Sequence, residues 1–330
     1  MKILIVRFSS IGDIVLTTPI LRAIKTQLNW VSIHYLTKRK FADLLENNPH
    51  IDKLITIDHT INEVIADLKV ERYDRIIDLH HNFRTLQLKL QLNIPTSAFP
   101  KLNIAKWILV NFKYNRMPNI HLVERYFQAV KSIGVTNDGL PCELYLKNSD
   151  EIDTMATFDL MPGTYVAIAI GAQFKTKQLT IRKLKEIIRQ LEIPVILLGG
   201  KEDIPCANEL ISETSSSKVF SACGKYTILQ SASIVKQSKL LLTHDTGLMH
   251  IASCFNKQIV SVWGNTVPAF GMYPYLREKN QFSIHEISNL SCRPCSKIGF
   301  QRCPKEHFKC MELQDSKAIA KDIQDRIEKN

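Results

Sequence analysis

Leu240-Leu241-Leu242-Thr243-His244-Asp245-Thr246-Gly247-Leu248-Met249-His250-Ile251-Ala252 reads as a buried strand that ends in polar residues and opens at once into a helix, with Gly247 at its start. A helix N-terminus offers unpaired N–H groups and a partial positive charge, a ready site for phosphate. Asp245, Thr246 and Gly247 lie at that start, and His250 sits one turn inside, on a face that can reach the same anion. Taken alone, the stretch is read equally well with Asp245 or Thr246 as helix cap and His250 as a core histidine.

The same strand-to-helix alternation runs outward in both directions, the pattern of parallel sheets with crossover helices. In the second half the expected strands are Tyr165 to Ile170, Pro194 to Leu198, Lys218 to Ser221, Lys239 to Thr243 and Gln258 to Trp263. In the first half they are Lys2 to Arg7, Val31 to Leu36, Lys53 to Ile57, Arg75 to Leu79 and Glu143 to Leu146. Several are continuous apolar runs, as strands covered on both faces require. The polar, acidic stretch Lys147 to Gly163 marks a linker, and 330 residues exceed what one hydrophobic core usually serves. The expectation is an α/β chain of two Rossmann-like domains, 1–155 and 156–330, with a ligand site in the cleft between them. The charged helical run Ser316 to Lys329 closes the second domain and could pack back across the linker, and Ser215-Ser216-Ser217 reads as a short loop.

Three further strand-end loops carry residues suited to a ligand, because in open α/β sheets ligands bind outside the carboxyl ends of the strands. The first strand runs into Phe8-Ser9-Ser10-Ile11-Gly12-Asp13. Asp13 is a carboxylate able to deprotonate an attacking hydroxyl, or a residue that caps the helix. In Gly171-Ala172-Gln173-Phe174-Lys175-Thr176-Lys177, Lys177 or Lys175 can neutralise a diphosphate and Thr176 can donate to its oxygens. In Leu198-Gly199-Gly200-Lys201-Glu202-Asp203, the glycines permit close backbone approach, Glu202 is the candidate for ribose hydroxyls, and Asp203 is the alternative helix cap. Neither GxGxxG nor GxxxxGK[ST] occurs.

The formal charge of +11 is unevenly placed. From Arg84 to Lys131 there are eight Lys or Arg against one acid, Glu124, interleaved with Phe99, Trp107, Phe112 and Tyr114. Such a surface suits an anionic membrane face, an acidic acceptor or nucleic acid, or is a plain solvated face; no nucleic-acid-binding signature accompanies it, so no nucleic acid is expected. The N-terminal apolar run meets Arg7 at once, too short for a signal peptide, and no later stretch offers a membrane span, so a cytoplasmic protein is expected. Eight cysteines then argue for reduced thiols. Cys292, Cys295, Cys303 and Cys310 could supply four thiolates to a structural zinc, but a lid of free thiols is the favoured reading.

Ser9-Ser10-Ile11-Gly12-Asp13, Thr176-Lys177, Gly199-Gly200 before acids, Asp245-Thr246-Gly247 with His250, and Trp263-Gly264 together resemble glycosyltransferase family 9, the lipopolysaccharide heptosyltransferases, over nearly the whole chain. The resemblance implies a GT-B fold, two facing Rossmann-like domains with the active site in the interdomain cleft. It implies an inverting transfer of a sugar, expected to be a heptose, from a nucleotide-diphosphate donor, expected to be ADP-heptose. The acceptor would be a lipopolysaccharide-core or related cell-envelope glycan at the inner membrane surface. No metal would be required, with Asp13 matching the general base and Lys177 the diphosphate-binding lysine. Thr246, Gly247 and His250 would form the donor-phosphate loop, and Glu202 would meet the donor ribose. Domain 1–155 would bind the acceptor, with Arg84, His121 and Arg125 in that region, and domain 156–330 would bind the donor. The sequence departs from better-known members in having Gln178-Leu179-Thr180 where a tryptophan often follows the lysine, and in its cysteine cluster at 292–310. The competing readings are a nucleotide-sugar epimerase on the same architecture and a non-catalytic, basic polyanion-binding protein.

Overall fold

A computed structural model describes residues 1–214 and 218–329, so the expected loop Ser215-Ser216-Ser217 lies outside it. The chain divides into two compact units, one of Met1–Leu102 with Ile120–Lys147, the other of Asn103–Asn119 with residues 148 onward. The excursion of 103–119 into the second unit has no signal in the sequence pattern.

The first unit is built on five parallel strands: β1 (Lys2–Val6), β2 (Ser32–Lys38), β3 (Lys53–Ile57), β4 (Arg75–Asp78) and β5 (Thr96–Ala98). Their order is β3-β2-β1-β4-β5. After Lys2, β1 is fully buried, because its Ile-Leu-Ile-Val run is covered on both faces. The second unit carries six parallel strands: β6 (Val166–Ala169), β7 (Val195–Leu198), β8 (Val219–Ser221), β9 (Leu240–His244), β10 (Gln258–Trp263) and β11 (Phe282–Glu286), ordered β11-β10-β9-β6-β7-β8. Both orders are Rossmann-like. Each has one topological switch point, at β1/β4 in the first sheet and at β6/β9 in the second.

The period of two in the strands sorts the second core into halves. Val166 and Ile168 face one layer, with Leu184 and Ile187 of helix Ile181–Ile188 and Ala207 and Leu210 of helix Ile204–Thr214. Ala167 and Ala169 face the other, with Ile234 and Val235 of helix Ile228–Gln237 and Met249 and Ala252 of helix Gly247–Cys254.

Nine of the ten expected strands are present to within two residues at either end. Glu143 to Leu146 is the exception, since it joins no ladder. Its alternation is real, with Cys142 and Leu144 buried, but it covers a helix. Glu143 N–H donates to Thr18 Oγ1 (2.8 Å), and Arg22, also on helix Thr18–Gln27, donates to the Pro141 carbonyl (2.9 Å) and pairs with Glu143 (3.0 Å). Short edge strands β5 and β11 went unread. Among the described residues, no helix is long and apolar enough to cross a membrane.

Helix Ser316–Glu328 packs on the second sheet's core through Ile319, Ala320 and Ile323. Asp322 fastens it to β11, accepting from Ser283 Oγ, pairing with His285 Nε2 (2.8 Å) and with Arg326 Nε of its own helix (2.8 Å). Burial alone would raise the Asp322 pKa, but the hydrogen bonds from His285 and Ser283 and the charge of Arg326 outweigh it and hold the carboxyl at about 2.

Because that pKa is depressed on folding, the contribution of Asp322 is complete above the unfolded value of 3.8 and is lost as pH falls towards about 2. Asp322→Asn should therefore lower stability at pH 7 and flatten the acid limb between pH ~4 and ~2, read by urea unfolding across pH. Ile168→Ala, at a fully buried position of the central strand β6, should cost about 2–5 kcal/mol in the same assay.

Candidate active site

Both switch points gather polar residues, and each does so within its own unit. In the second sheet, the loops after β6 and β9 meet because those strands are neighbours. Lys177, in the single turn Lys175–Lys177, places Nζ 2.6 Å from Asp245 Oδ2 and 3.2 Å from the Asp245 carbonyl. Thr266 Oγ1, from the loop after β10, donates to the same carboxylate oxygen (2.9 Å). An ammonium group has three protons, so one remains for a ligand oxygen. Asp245 is thereby a holder of Lys177.

Thr246 caps the helix Gly247–Cys254 with extended backbone but without a side-chain bond to it; its hydroxyl sits 3.2 Å from Thr243 Oγ1. The first N–H groups of this helix have no intrahelical acceptor, and Gly247 puts no side chain before them. His250 is buried in the second turn. His244, the last residue of β9, accepts the Leu179 N–H at Nε2 (2.9 Å), so its proton is on Nδ1. Burial pushes its pKa down to about 4, against the hydrogen bond with Gly171 and the charge of Asp245, leaving it neutral. It orders the loop that carries Lys177.

The loop after β7 divides its two acids cleanly. Asp203 is buried and accepts the Gly200 N–H (2.9 Å); burial, the chief cause, raises its pKa. Its carboxylate fills the space beside Gly171 and Gly199, where a Cβ would come within 2.0 Å and 2.8 Å of it. Those glycines make room for Asp203, and Glu202 is left exposed.

Thr176 is not presented to a ligand. Its hydroxyl donates to the Phe300 carbonyl (2.9 Å) and accepts the Phe300 N–H (2.8 Å). This contact belongs to a wider one that sequence reasoning missed: the cysteine-rich segment braces the site. Arg293, inside the CxxC, is buried and donates to the carbonyls of Gly264 (2.5 Å) and Thr266 (2.9 Å), with Glu286 as its ion pair (2.6 Å). Gln301 reaches the Gln173 carbonyl (3.1 Å). All eight cysteines are free. Among the described residues, no three His, Cys, Asp or Glu side chains are arranged to hold a metal ion. Burial pushes Cys295 up to about 11 and Cys310 to about 12. Next to this brace, the Asn265 side chain is buried with neither its oxygen nor its nitrogen hydrogen-bonded.

In the first sheet, Asp13 occupies the third position of helix Ile11–Val15. One carboxylate oxygen accepts from Ser10 N–H (3.1 Å) and Oγ (2.8 Å), and the other pairs with Arg7 (2.6 Å). The capping role is thus real, and it also fixes the carboxylate at the end of β1. Arg7 is buried, donates to the Leu79 carbonyl (2.6 Å) and lies over the Tyr126 ring (6.0 Å). From the loop after β4, His80 packs edge-on against Phe8 with ring centroids 5.2 Å apart. Burial first, then Arg7 and Lys101, push its pKa down to about 3, with the charges of Asp13 and Asp78 opposing. A neutral imidazole beside Asp13 was not anticipated; its only signal in the sequence is its place just past a strand end.

Arg84 lies half-buried in the first turn of helix Phe83–Leu92. His121 and Arg125 are both buried. The His121 ring caps helix Leu122–Phe127 by accepting the Val123 N–H (3.1 Å), and Arg125 is only 1% exposed.

The sequence profile of glycosyltransferase family 9 (heptosyltransferase) matches residues 61–299. A lipopolysaccharide heptosyltransferase 1 from Campylobacter coli is 26% identical over 292 residues, covering 81% of this chain and 84% of that protein. Among solved structures, the glycosyl transferase family 9 protein of Veillonella parvula DSM 2008 superposes with a TM-score of 0.79 at 20% identity, over 100% of this chain and 98% of that one. The E. coli ADP-heptose lps heptosyltransferase II does so with a TM-score of 0.74 at 20% identity, over 100% and 99%. The fold is therefore GT-B, and with the family matched over most of its length the chain belongs to glycosyltransferase family 9, the heptosyltransferases.

Proposed function

We propose that this protein transfers a heptose, with inversion at the anomeric carbon, from ADP-heptose to a lipopolysaccharide-core or related cell-envelope acceptor at the inner face of the cytoplasmic membrane. The observation that carries the reading is Lys177, held by Asp245, whose carboxylate Thr266 fixes in turn, at the switch point beside the start of helix Gly247–Cys254. A cation with one proton to spare next to unpaired backbone N–H groups suits a diphosphate. The relatives support the rest: one is a lipopolysaccharide heptosyltransferase in Campylobacter coli and another an ADP-heptose lps heptosyltransferase in E. coli.

In this reading Asp13 accepts the proton of the acceptor hydroxyl as it attacks the anomeric carbon, and the bond to the diphosphate breaks. Lys177, with the N–H groups that follow Thr246, stabilises the negative charge that builds on the leaving ADP. Those donors are held in place before the reaction, so they act differentially on the transition state. Glu202, exposed at the tip of β7, takes the donor ribose, and His250 lines the phosphate loop. The second unit is the donor side. The first is the acceptor side, with Arg84 as its cationic contact. Positive charge on the diphosphate comes from protein groups, so transfer requires no divalent metal.

Lys177→Ala should lower kcat about a hundred- to a thousandfold, measured as ADP release with ADP-heptose and a heptose-acceptor core glycan. Asp13→Ala should lose transfer while ADP still raises the thermal transition, since a ligand that binds only the native state stabilises it. Full transfer by Asp13→Ala would remove it as base. ADP should stabilise the protein more than UDP or GDP, and activity should survive EDTA; equal response to all three nucleotides would count against an ADP-linked donor.

A further inference from the structure

The excursion 103–119 belongs to the second unit, yet nothing in the donor chemistry calls for it. Its helix, Asn103–Phe112, buries Leu109, and Lys113 just beyond secures the end by donating to the carbonyls of Val110 (2.5 Å) and Pro294 (2.7 Å). The opposite face is apolar and uncovered. Ile104 is 77% exposed, Trp107 51% and Phe112 66%, at i, i+3 and i+8, with Tyr114 at 59% just after the helix. The Trp107 and Phe112 rings already touch edge to face, centroids 5.3 Å apart. Around them stand Lys106, Lys113 and Arg116, the last with its guanidinium 5.0 Å from the Tyr114 ring centre. No Asp or Glu occurs between Leu79 and Val123.

Exposed apolar clusters of this kind mark interaction surfaces, and charge narrows the partner. A second copy of the same basic segment would be repelled. Nucleic acid would satisfy the lysines and arginine but leave Ile104 and Phe112 in water. An anionic bilayer satisfies both, since its headgroups draw in basic residues while the boundary below them accepts aromatic and aliphatic side chains. We propose that helix Asn103–Phe112 and the turn through Arg116 form a lipid-docking surface, with Ile104, Trp107 and Phe112 entering the headgroup–acyl boundary of an anionic membrane and Lys106, Lys113 and Arg116 at its headgroups. This deepens the proposed function by giving a membrane-borne acceptor a landing surface, and its test needs no sugar.

The full chain carrying Trp30→Phe is mixed with phosphatidylcholine vesicles with and without phosphatidylglycerol, and sedimentation and tryptophan emission are recorded. Trp263 is buried, so the emission of interest is that of Trp107. Co-sedimentation with the anionic vesicles and a blue shift are expected. Trp107→Ala with Phe112→Ala, scored by sedimentation, should weaken binding at least about tenfold. Lys106→Ala and Arg116→Ala should each weaken it about fivefold. Unchanged ADP binding in these variants shows that they are folded. Sedimentation that ignores the Trp107/Phe112 substitutions, or equal binding to RNA, would overturn the proposal in favour of a general polyanion surface. Self-association abolished by the same substitutions would overturn it in favour of a copy of the chain. Should wild-type protein not bind ADP at all, the donor assignment fails and the vesicle result stands on its own.

Discussion

Strand order is the constraint on which the rest of this structure depends. In each unit the first strand lies beside the fourth, β1 against β4 and β6 against β9, so the chain reverses its direction of winding between them. Crossover connections on the two sides of that point lead to opposite faces, and the loops at the strand tips part to leave a crevice. Lys177 and Asp245, sixty-eight residues apart, meet there at 2.6 Å. Arg7 and Leu79, seventy-two apart, meet at the corresponding point of the first sheet, also at 2.6 Å.

The two crevices are furnished differently, and the difference is chemical. At β6/β9 the principal groups are donors: an ammonium and the opening turn of a helix. Its acids, buried Asp203 and half-buried Asp245, are tied to Gly200 and Lys177. At β1/β4 the principal group is an acceptor, the Asp13 carboxylate, held by Arg7 and Ser10 and flanked by a neutral His80. A transfer to a hydroxyl with departure of a diphosphate needs one of each. The cysteine-rich segment adds rigidity to the donor side. It reaches the Lys177 loop through Phe300 and Gln301, and the Thr266 loop through Arg293. Arg293, Gln301 and the backbone of Phe300, not the thiols, make those contacts.

Much of the site was legible because it is local. Asp13, Lys177, Glu202 and the run Asp245 to His250 each follow an apolar strand within a few residues, and such positions point at a ligand whatever the strand order. What stayed illegible depends on partners distant in the chain. Thr176 looked like a phosphate ligand until its hydroxyl was claimed by Phe300, 124 residues on. His121 and Arg125 stood as acceptor contacts by resemblance, but both are buried and the first caps a helix. Glu143 to Leu146 has the alternation of a strand and covers a helix, because period two reports which side chains are buried, not what buries them.

By itself, then, the sequence determined the alternation of strands and helices and the placing of polar residues at the strand tips, since both are written in short-range pattern. Tertiary structure alone decided which tips become neighbours, which polar side chains are consumed in holding loops together, and that 103–119 leaves its sequence neighbours to join the second unit. Pairing between strands and burial of a given face are set by the summed packing of segments far apart in the chain, and no local window of residues contains that sum.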